Sequence, residues 1–496
     1  MTNPTFDRLR TRLGEIHDLR SATALLYWDQ QTIMPPAGAA TRAEQVATLS
    51  RMTHELFVAD ETGRLLEELR PYEDALDPES FEASLIRVTR RDYEKAVRVP
   101  AELRAEMSRA GSQGMQVWAK AKAESDFEAF LPALERNLEL RFRYVDCFDP
   151  AEEPYDILLD DYEEGMKTAE VRRIFAELKE ELVPLIAAVR DREVELLEGE
   201  FDVDAQRAIS HEVLDLFGHR PDAWRLDPTV HPFASGGGRD DIRVTTHYEP
   251  GDLESLFATM HEYGHGLYEH QVAPELDRTP LASGVSLGLH ESQSRMWENL
   301  VGRSLPFWRF FYPRLQERFP RELGGLELDA FYRSVNQVRP SLIRIHADEV
   351  TYNMHVILRF ELEQEILGGR VALRDLPEEW NRRMWDYLGV EVPDDAHGVL
   401  QDVHWSGGSM GYFPTYSLGN VMSVQIWERV RDDLPELDEQ VERGEFAPLR
   451  EWLGERLHRH GRKYTPQETL ERVAGGTIET GPYLRYLQDK HGVAAA

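Results

Sequence analysis

The sequence predicts a mainly α-helical protein with one short β region. Apolar residues recur three and four positions apart through most of the first 200 residues, which is the spacing of an amphipathic helix. Clear examples are residues 80–99, 127–145 and 167–199, and Thr168 is the predicted cap of the third. Because these helices are long and amphipathic, we expect them to pack around a large shared core.

A Gly- and Pro-rich segment at residues 225–252 interrupts this helical pattern. Within it, Ile242, Val244 and Thr246 alternate with polar residues, which predicts a strand or a hairpin. Asp252 is then the predicted cap of the next helix, and helical patterns continue after residue 290. We therefore expect a small β element directly before the segment that carries the histidine motif described below.

Composition and charge exclude several functions. The chain has 57 Lys and Arg against 90 Asp and Glu, and the resulting net charge of −33 argues against binding to nucleic acid or to an anionic membrane. Cys147 is the one cysteine, so neither a disulfide framework nor a cysteine metal site is expected. The sequence shows no apolar run of signal-peptide or membrane-spanning length, and we expect a cytoplasmic protein.

The strongest chemical signal is the sequence HEYGH at residues 261–265. On a helix, His261 and His265 lie one turn apart on one face, so both imidazoles can bind the same metal ion. Glu262 can reach a water at that ion and act as a general base without binding the metal. A chain with 17 histidines can contain this pattern by chance, and ordinary surface or core histidines on a helix are the alternative interpretation.

A catalytic zinc ion also needs a third protein ligand. Glu269 would lie roughly 12 Å along the helix from His261, which is too far. The following helical segment places Glu291 and Glu298 on one face. Glu291 is the predicted ligand because it begins that helix; the alternative is a carboxylate favoured there by the helix dipole.

HEYGH at residues 261–265, followed by HESQSR at residues 290–295, resembles the carboxypeptidase Taq family of metallocarboxypeptidases. The resemblance implies a large, mostly helical fold with a deep central groove, similar to neurolysin and the angiotensin-converting enzymes, and usually a homodimer. We expect one peptidase unit over residues 1–496, with residues 1–110 as a helical lid over the groove. The quoted matches, in chain order, are residues 27–45, HPF (231–233), DIRVT (241–245), HEYGH (261–265), HESQSR (290–295), IRIHAD (343–348) and GVLQDVHW (398–405).

A carboxypeptidase must recognise the free carboxylate of its substrate, and arginine offers a planar, permanently charged partner for it. Arg344 is the predicted anchor, a role that the resembling family assigns to the matching arginine. The alternative is an ordinary ion pair between Arg344 and Asp348, four residues apart. Arg243, in the predicted strand, is the second candidate.

Donors that stabilise the oxyanion of the tetrahedral intermediate are also required. His404 and Tyr412 are the first candidates, since a Gly-rich segment carries them. His231 is a further candidate, and Tyr416 is an alternate that could instead contact the substrate.

The sequence therefore predicts a metallocarboxypeptidase with one Zn²⁺ per chain, for which Co²⁺ or Mn²⁺ could substitute. The resemblance implies peptide substrates with a free C-terminus, low sequence selectivity and poor action after proline. One alternative is a metallo-oligopeptidase that cuts short peptides internally, which would not need Arg344. A second alternative is a helical interaction protein without catalysis, which would bind no stoichiometric metal.

Overall fold

The computed structural model describes residues 3–195, 197 and 199–493, and helices dominate these residues as the sequence predicts. The first half of the chain forms α1 (Pro4–Thr32), α2 (Ala39–Val58), α3 (Asp60–Glu68), α4 (Arg70–Glu73), α5 (Phe81–Arg98), α6 (Ala101–Glu124), α7 (Phe127–Val145), α8 (Pro154–Leu159), α9 (Thr168–Val189) and α10 (Val203–Phe217). Three strands follow, β1 (Trp224–Pro228), β2 (Ala234–Gly238) and β3 (Asp241–Thr246). The remainder forms α11 (Glu254–His270), α12 (Leu287–Arg295), α13 (Leu305–Arg318), α14 (Leu328–Val335), α15 (Tyr352–Leu367), α16 (Leu376–Leu388), α17 (Pro414–Asp433), α18 (Leu437–Glu442), α19 (Ala447–Arg456), α20 (Pro466–Ala474) and α21 (Gly481–Lys490).

The chain divides into two compact units. The first takes the described residues of 1–97, 195–335 and 426–477, and so includes the sheet, α11 and α12. The second takes those of 98–194, 336–425 and 478–496, and so includes α15, α16 and the segment before α17. The single peptidase unit and the N-terminal lid over residues 1–110 stay predictions.

The sheet has the strand order β1-β3-β2. β2 and β3 pair antiparallel, with Ala234 opposite Val244, and this is the predicted hairpin. β1 adds a parallel partner, with Trp224 opposite Ile242, that the sequence did not indicate because β1 shows no clear alternation of apolar and polar residues. The side chains of Ile242 and Val244 are buried, so one face of the central strand belongs to the core.

Two helix boundaries differ from the sequence prediction. α9 begins at Thr168, and its N-terminus is capped by Asp156, whose Oδ1 accepts hydrogen bonds from Thr168 N at 2.8 Å and Oγ1 at 2.6 Å. The prediction that Thr168 caps this helix is therefore wrong, because the carboxylate of Asp156 on α8 takes that role. The helix ends at Val189 rather than 199, and positions 196 and 198 of that stretch lie outside the described residues.

A large apolar core in the first unit holds the end of α11. Side chains of α1, α3 and α5 meet residues that directly follow α11, so this helix is anchored at its C-terminal end. Asp252 precedes α11 and accepts a hydrogen bond from Glu254 N at 3.0 Å, although Leu253 is the residue at the cap position. The core residues are Phe6, Leu9, Leu13, Ile16, Phe57, Leu65, Leu66, Leu69, Leu85, Ile86, Val88, Val272, Ala273, Leu276 and Leu281.

None of the described helices combines the length and the apolar character that a membrane crossing requires.

Candidate metal centre

α11 presents the two histidines of the HEYGH motif on one face. The rings of His261 and His265 lie 4.9 Å apart, as expected for residues one helical turn apart. The helix is buried along most of its length, including Met260 and Tyr263 on either side of this face. The two imidazoles are therefore held by a helix that cannot easily rotate.

Gly264 allows α12 to approach α11 closely. A Cβ atom at this position would lie 2.4 Å from the backbone oxygen of Gln293, so any larger residue would push the two helices apart. The close packing brings Glu291, on the first turns of α12, against the histidine face of α11. The glycine of the motif thus has a structural role that the histidine spacing alone does not reveal.

His261, His265 and Glu291 form a group that could hold a metal ion, and their donor atoms all lie within 4.8 Å of one another. Glu291 Oε2 is 3.7 Å from His261 Nε2 and 3.5 Å from His265 Nε2. Ligand atoms about 2.0–2.2 Å from a tetrahedral zinc stand roughly 3.3–3.6 Å apart. The donor set and its spacing therefore fit a zinc-type ion.

Glu291 is oriented by its neighbours on α12. Arg295 Nε donates to Oε1 at 2.7 Å, and Ser294 Oγ donates to Oε2 at 3.2 Å. Burial alone would raise the pKa of Glu291, but the charges of Arg295 and His261 outweigh it and hold the pKa well below the usual value. Glu291 is thus a buried carboxylate in its charged form, which metal binding requires.

The second nitrogen of His261 is bonded to a carboxylate. Glu298 Oε2 accepts from His261 Nδ1 at 2.8 Å, and Glu298 lies on a π-helical turn, Met296–Val301, that continues α12. Arg295 Nη1 also donates to Glu298 at 3.2 Å. Burial would raise the pKa of Glu298, but Arg295 and His261 outweigh this effect and lower the pKa to about 2. A carboxylate behind a histidine fixes which ring nitrogen is free to bind a metal.

Glu262 differs from the other two carboxylates. Its side chain is 5% exposed, and its Oε2 atom has no hydrogen-bond partner within the described part of the chain. Burial raises the pKa of Glu262 to about 7. An orphaned, buried carboxylate beside a metal-type donor set is suited to accept and return a proton near neutral pH.

In the second unit, Arg344 is buried on a short 3₁₀ turn and pairs with Asp402 rather than Asp348. Its Nη2 lies 2.9 Å from Asp402 Oδ1, and its Nη1 donates to the Tyr352 hydroxyl at 2.7 Å. The fully buried Arg359 contacts the other oxygen of Asp402 through Nε at 2.7 Å. The alternative of an Arg344–Asp348 pair is wrong, because Asp348 instead accepts hydrogen bonds from the backbone before α15.

His404, Tyr412 and Tyr416 come together beside Arg344. His404 Nε2 lies 3.4 Å from the Tyr416 hydroxyl, and the His404 and Tyr412 rings are 5.2 Å apart. The Arg344 guanidinium lies 4.9 Å from the centre of the Tyr416 ring. Burial lowers the pKa of His404 to about 4, so this imidazole is neutral at pH 7. The second unit therefore gathers three of the predicted residues beside a fourth, the buried Arg344.

The remaining two candidates lie in the first unit. Arg243, on β3, forms a two-point ion pair with Asp241, with Nε 2.9 Å from Oδ1, and lies 4.3 Å from the ring centre of the buried Trp28. His231 is exposed in the loop between β1 and β2. Asp241 thus already neutralises Arg243, whereas Arg344 shares its carboxylate with a second arginine.

The sequence analysis missed the charged partners of the predicted residues. Glu298 was weighed only as a possible ligand, and Arg295, Arg359 and Asp402 were not assigned any role. Arg295 had a detectable signal, since it follows Glu291 by four residues and precedes Glu298 by three. Asp402 had none, because it lies 58 residues from Arg344 along the chain.

An HExxH helix followed by a helix that supplies a carboxylate is the arrangement of a zinc-type metallopeptidase. The sequence profile of the carboxypeptidase Taq (M32) metallopeptidases matches residues 8–491. The chain belongs to this family. It is accordingly a metal-dependent carboxypeptidase, a hydrolase of peptide bonds, and the internally cutting oligopeptidase is not favoured.

Individual carboxypeptidases are similar to this protein over nearly the whole chain. Thermostable carboxypeptidase 1 of Thermus thermophilus is 41% identical, with 95% of each chain covered. Carboxypeptidase 1 of Bacillus subtilis is 37% identical, with 97% of this chain and 96% of that protein covered. The crystal structure of the M32 carboxypeptidase from Deinococcus radiodurans has a TM-score of 0.95 at 39% identity, with 99% of both chains covered. The predicted metallopeptidase fold is therefore confirmed.

Proposed function

We propose that this protein is a zinc carboxypeptidase that releases C-terminal amino acids from peptides with broad specificity. The observation that carries the proposal is the spacing of His261, His265 and Glu291, whose donor atoms lie within 4.8 Å of one another. Two imidazoles and one carboxylate suit zinc, and the same set would accept cobalt or manganese. We assign these three residues as the ligands of one ion per chain.

When bound, a divalent metal supplies Lewis acidity, which activates a water molecule and polarises the carbonyl of the peptide bond. Glu262 is the proposed general base, which takes the proton from the attacking water and returns it to the leaving amine. Its burial and its pKa of about 7 support that role, because a base near the working pH both accepts and releases a proton.

Arg344 is the proposed anchor for the terminal carboxylate of the substrate. It donates from Nε and Nη2 to Asp402 and from Nη1 to Tyr352, so its guanidinium is held in a fixed orientation. Asp402 is also shared with Arg359, so neither guanidinium has a carboxylate of its own. A second carboxylate, supplied by the substrate, would balance the remaining positive charge of the two guanidinium groups.

His404 and Tyr412 are the proposed donors to the oxyanion, with Tyr416 as the alternate. A neutral His404 donates from one ring nitrogen, and the hydroxyl of Tyr412, whose ring lies 5.2 Å from that of His404, is a second donor. His231 and Arg243 stay as further candidates, for the oxyanion and for the substrate respectively. We also propose that the protein is a cytoplasmic homodimer acting on peptides with a free C-terminus.

The test uses one peptide in two forms, with a free and with an amidated C-terminus. Zinc-loaded protein is incubated with each, and the products are identified by mass. We expect loss of single C-terminal residues from the free form and little reaction with the amidated form. Internal cleavage of both forms at equal rates would contradict the proposal and favour the oligopeptidase.

A further inference from the structure

The two histidines of the donor set differ in what holds their second nitrogen. His261 donates directly to Glu298, as described above. The Nδ1 atom of His265 has no direct carboxylate partner among the described residues: it lies 2.5 Å from Nδ1 of another histidine, His290, which directly precedes Glu291 on α12. His290 Nε2 in turn lies 2.8 Å from Glu269 Oε1. Each histidine is therefore linked to a carboxylate. Glu298 bonds His261 directly, whereas Glu269 is linked to His265 through the imidazole of His290.

If His265 binds the metal through Nε2, the hydrogen bonds that link His265, His290 and Glu269 run in one direction. A His265 that binds metal through Nε2 carries its proton on Nδ1, which must donate to His290 Nδ1. His290 then carries its own proton on Nε2 and donates it to the Glu269 carboxylate. Each nitrogen has one partner and each bond has one proton, so Glu269 fixes the tautomer of His290 and His290 fixes the tautomer of His265.

Packing holds the intervening ring in place. His290 lies between two other rings, 4.6 Å from that of His265 and 5.4 Å from that of Tyr268. The loop before α12 closes over it: a Cβ atom at Gly284 would lie 2.5 Å from His290 Cδ2. Gly284 N also donates to Glu269 Oε1 at 2.9 Å, so the same loop orients the carboxylate.

We propose that His290 and Glu269 are positioning residues of the metal site, which hold the ring of His265 and select the tautomer that leaves its Nε2 free for the metal. Neither residue belongs to the group of donor atoms that could hold the ion. The inference rests on the proposed ligand role of His265. Glu269, acting through His290, would orient His265 in the way that Glu298 orients His261 by a direct hydrogen bond.

The test measures the dissociation constant for zinc alone, by competition with a chelator, and the Tm of the metal-free protein. His290→Phe keeps an aromatic ring between His265 and Tyr268 but removes both nitrogens. We expect zinc binding about 10- to 100-fold weaker than in the wild type, the loss typical of such supporting residues, with the metal-free Tm nearly unchanged. His270→Phe is the matched control, since His270 lies on α11, as His265 does, but its Nδ1 bonds the backbone oxygen of Arg239 and not a residue of the metal site.

Glu269 provides a second test that does not alter the ring. Glu269→Ala should weaken zinc binding and change the visible absorption of the cobalt-substituted protein, although Glu269 contacts His265 only through His290. Glu269→Gln should recover most of the affinity, because its amide oxygen can accept the same hydrogen bond. Wild-type zinc affinity in both His290→Phe and Glu269→Ala would overturn the inference. A wild-type protein without zinc affinity would overturn the proposed function itself, and the inference with it.

Discussion

Asp402 Oδ1 lies 2.9 Å from Arg344 Nη2, while Asp402 Oδ2 contacts Arg359, so one partly buried carboxylate serves two guanidinium groups. Burial would raise the pKa of Asp402, but the two arginines outweigh it and hold the pKa far below its usual value. Arg344 is therefore held in one position without being fully neutralised. The shared carboxylate therefore predicts how substitution of Arg344 should affect activity and how substitution of Asp402 should affect stability.

Arg344→Ala should weaken hydrolysis of a peptide with a free C-terminus and have little further effect on its amidated form. A charge-assisted hydrogen bond contributes about 1.5–3 kcal/mol, which corresponds to roughly a 10- to 150-fold loss of kcat/KM. The measurement compares wild type and variant on both peptides. Equal losses on both would exclude Arg344 as the anchor, and the same comparison with Arg243→Ala would then test the second candidate.

Asp402→Asn should destabilise the second unit. Loss of the carboxylate leaves the charges of Arg344 and Arg359 buried together, and breaking such a buried pair costs about 3–5 kcal/mol of unfolding free energy. Chemical denaturation measures the change. Asp394→Asn is a suitable control, because Asp394 is exposed and bonds His397 at the surface. A stability equal to that of the control would show that the ion pairs contribute little.

Glu262→Gln should retain the metal and lose turnover by about 10²–10⁴-fold, the usual contribution of a general base. Glutamine has nearly the same shape but cannot accept the proton. Metal content and kcat are measured on the same sample. Glu291→Ala is the complementary variant and should lose metal affinity instead. Reversal of the two results would exchange the roles of base and ligand.

Removal of the metal by a chelator should abolish activity while leaving the protein folded, and zinc or cobalt should restore activity. The reason is that α11 and α12 are held by an extensive apolar core that does not include the ligands. Circular dichroism and activity are followed through removal and reconstitution. Full turnover by metal-free protein would contradict the metal requirement.

Gly264→Ala should separate α11 from α12 and so reduce both stability and metal affinity. The added Cβ would lie 2.4 Å from the backbone oxygen of Gln293, an overpacking that typically costs about 1–3 kcal/mol. Gly251→Ala is the control, since no atom lies within 4 Å of a Cβ built there. Denaturation and a zinc titration report the two effects; a variant as stable as the control would show that the helices can adjust.

Local patterns made much of the fold and the donor set predictable. The mainly helical class, the hairpin at β2 and β3, and the pair His261 and His265 follow from patterns along single segments. Glu291 follows from its position at the start of the next helix. Contacts between distant segments were not predictable in this way. β1 joins the sheet in parallel and Asp156 caps α9 from another helix, and neither pairing leaves a periodic signal in the sequence.

The same distinction holds for the candidate functional residues. The role of Arg344 as the anchor of the substrate carboxylate stays a prediction. The alternative, an ion pair with Asp348 four residues away, rests on helical spacing, which was the one rule available. The chain from Arg344 to Val350 is not an α-helix, so that rule did not apply. Asp402 lies on the segment before His404, and only the folded chain brings it to Arg344.

The position of Glu291, on a different helix from the two histidines, also links metal binding to the order in which the chain folds. α11 alone could offer an ion two imidazoles, but the carboxylate arrives only when α12 docks against Gly264. Partly folded chains without that docking should bind the ion weakly, so free metal shifts the population towards the docked state. At a concentration one hundred times the Kd, the native chain gains about 2.7 kcal/mol over species that do not bind. A higher concentration of free metal would thereby increase the fraction of chains in which α12 is correctly packed against α11.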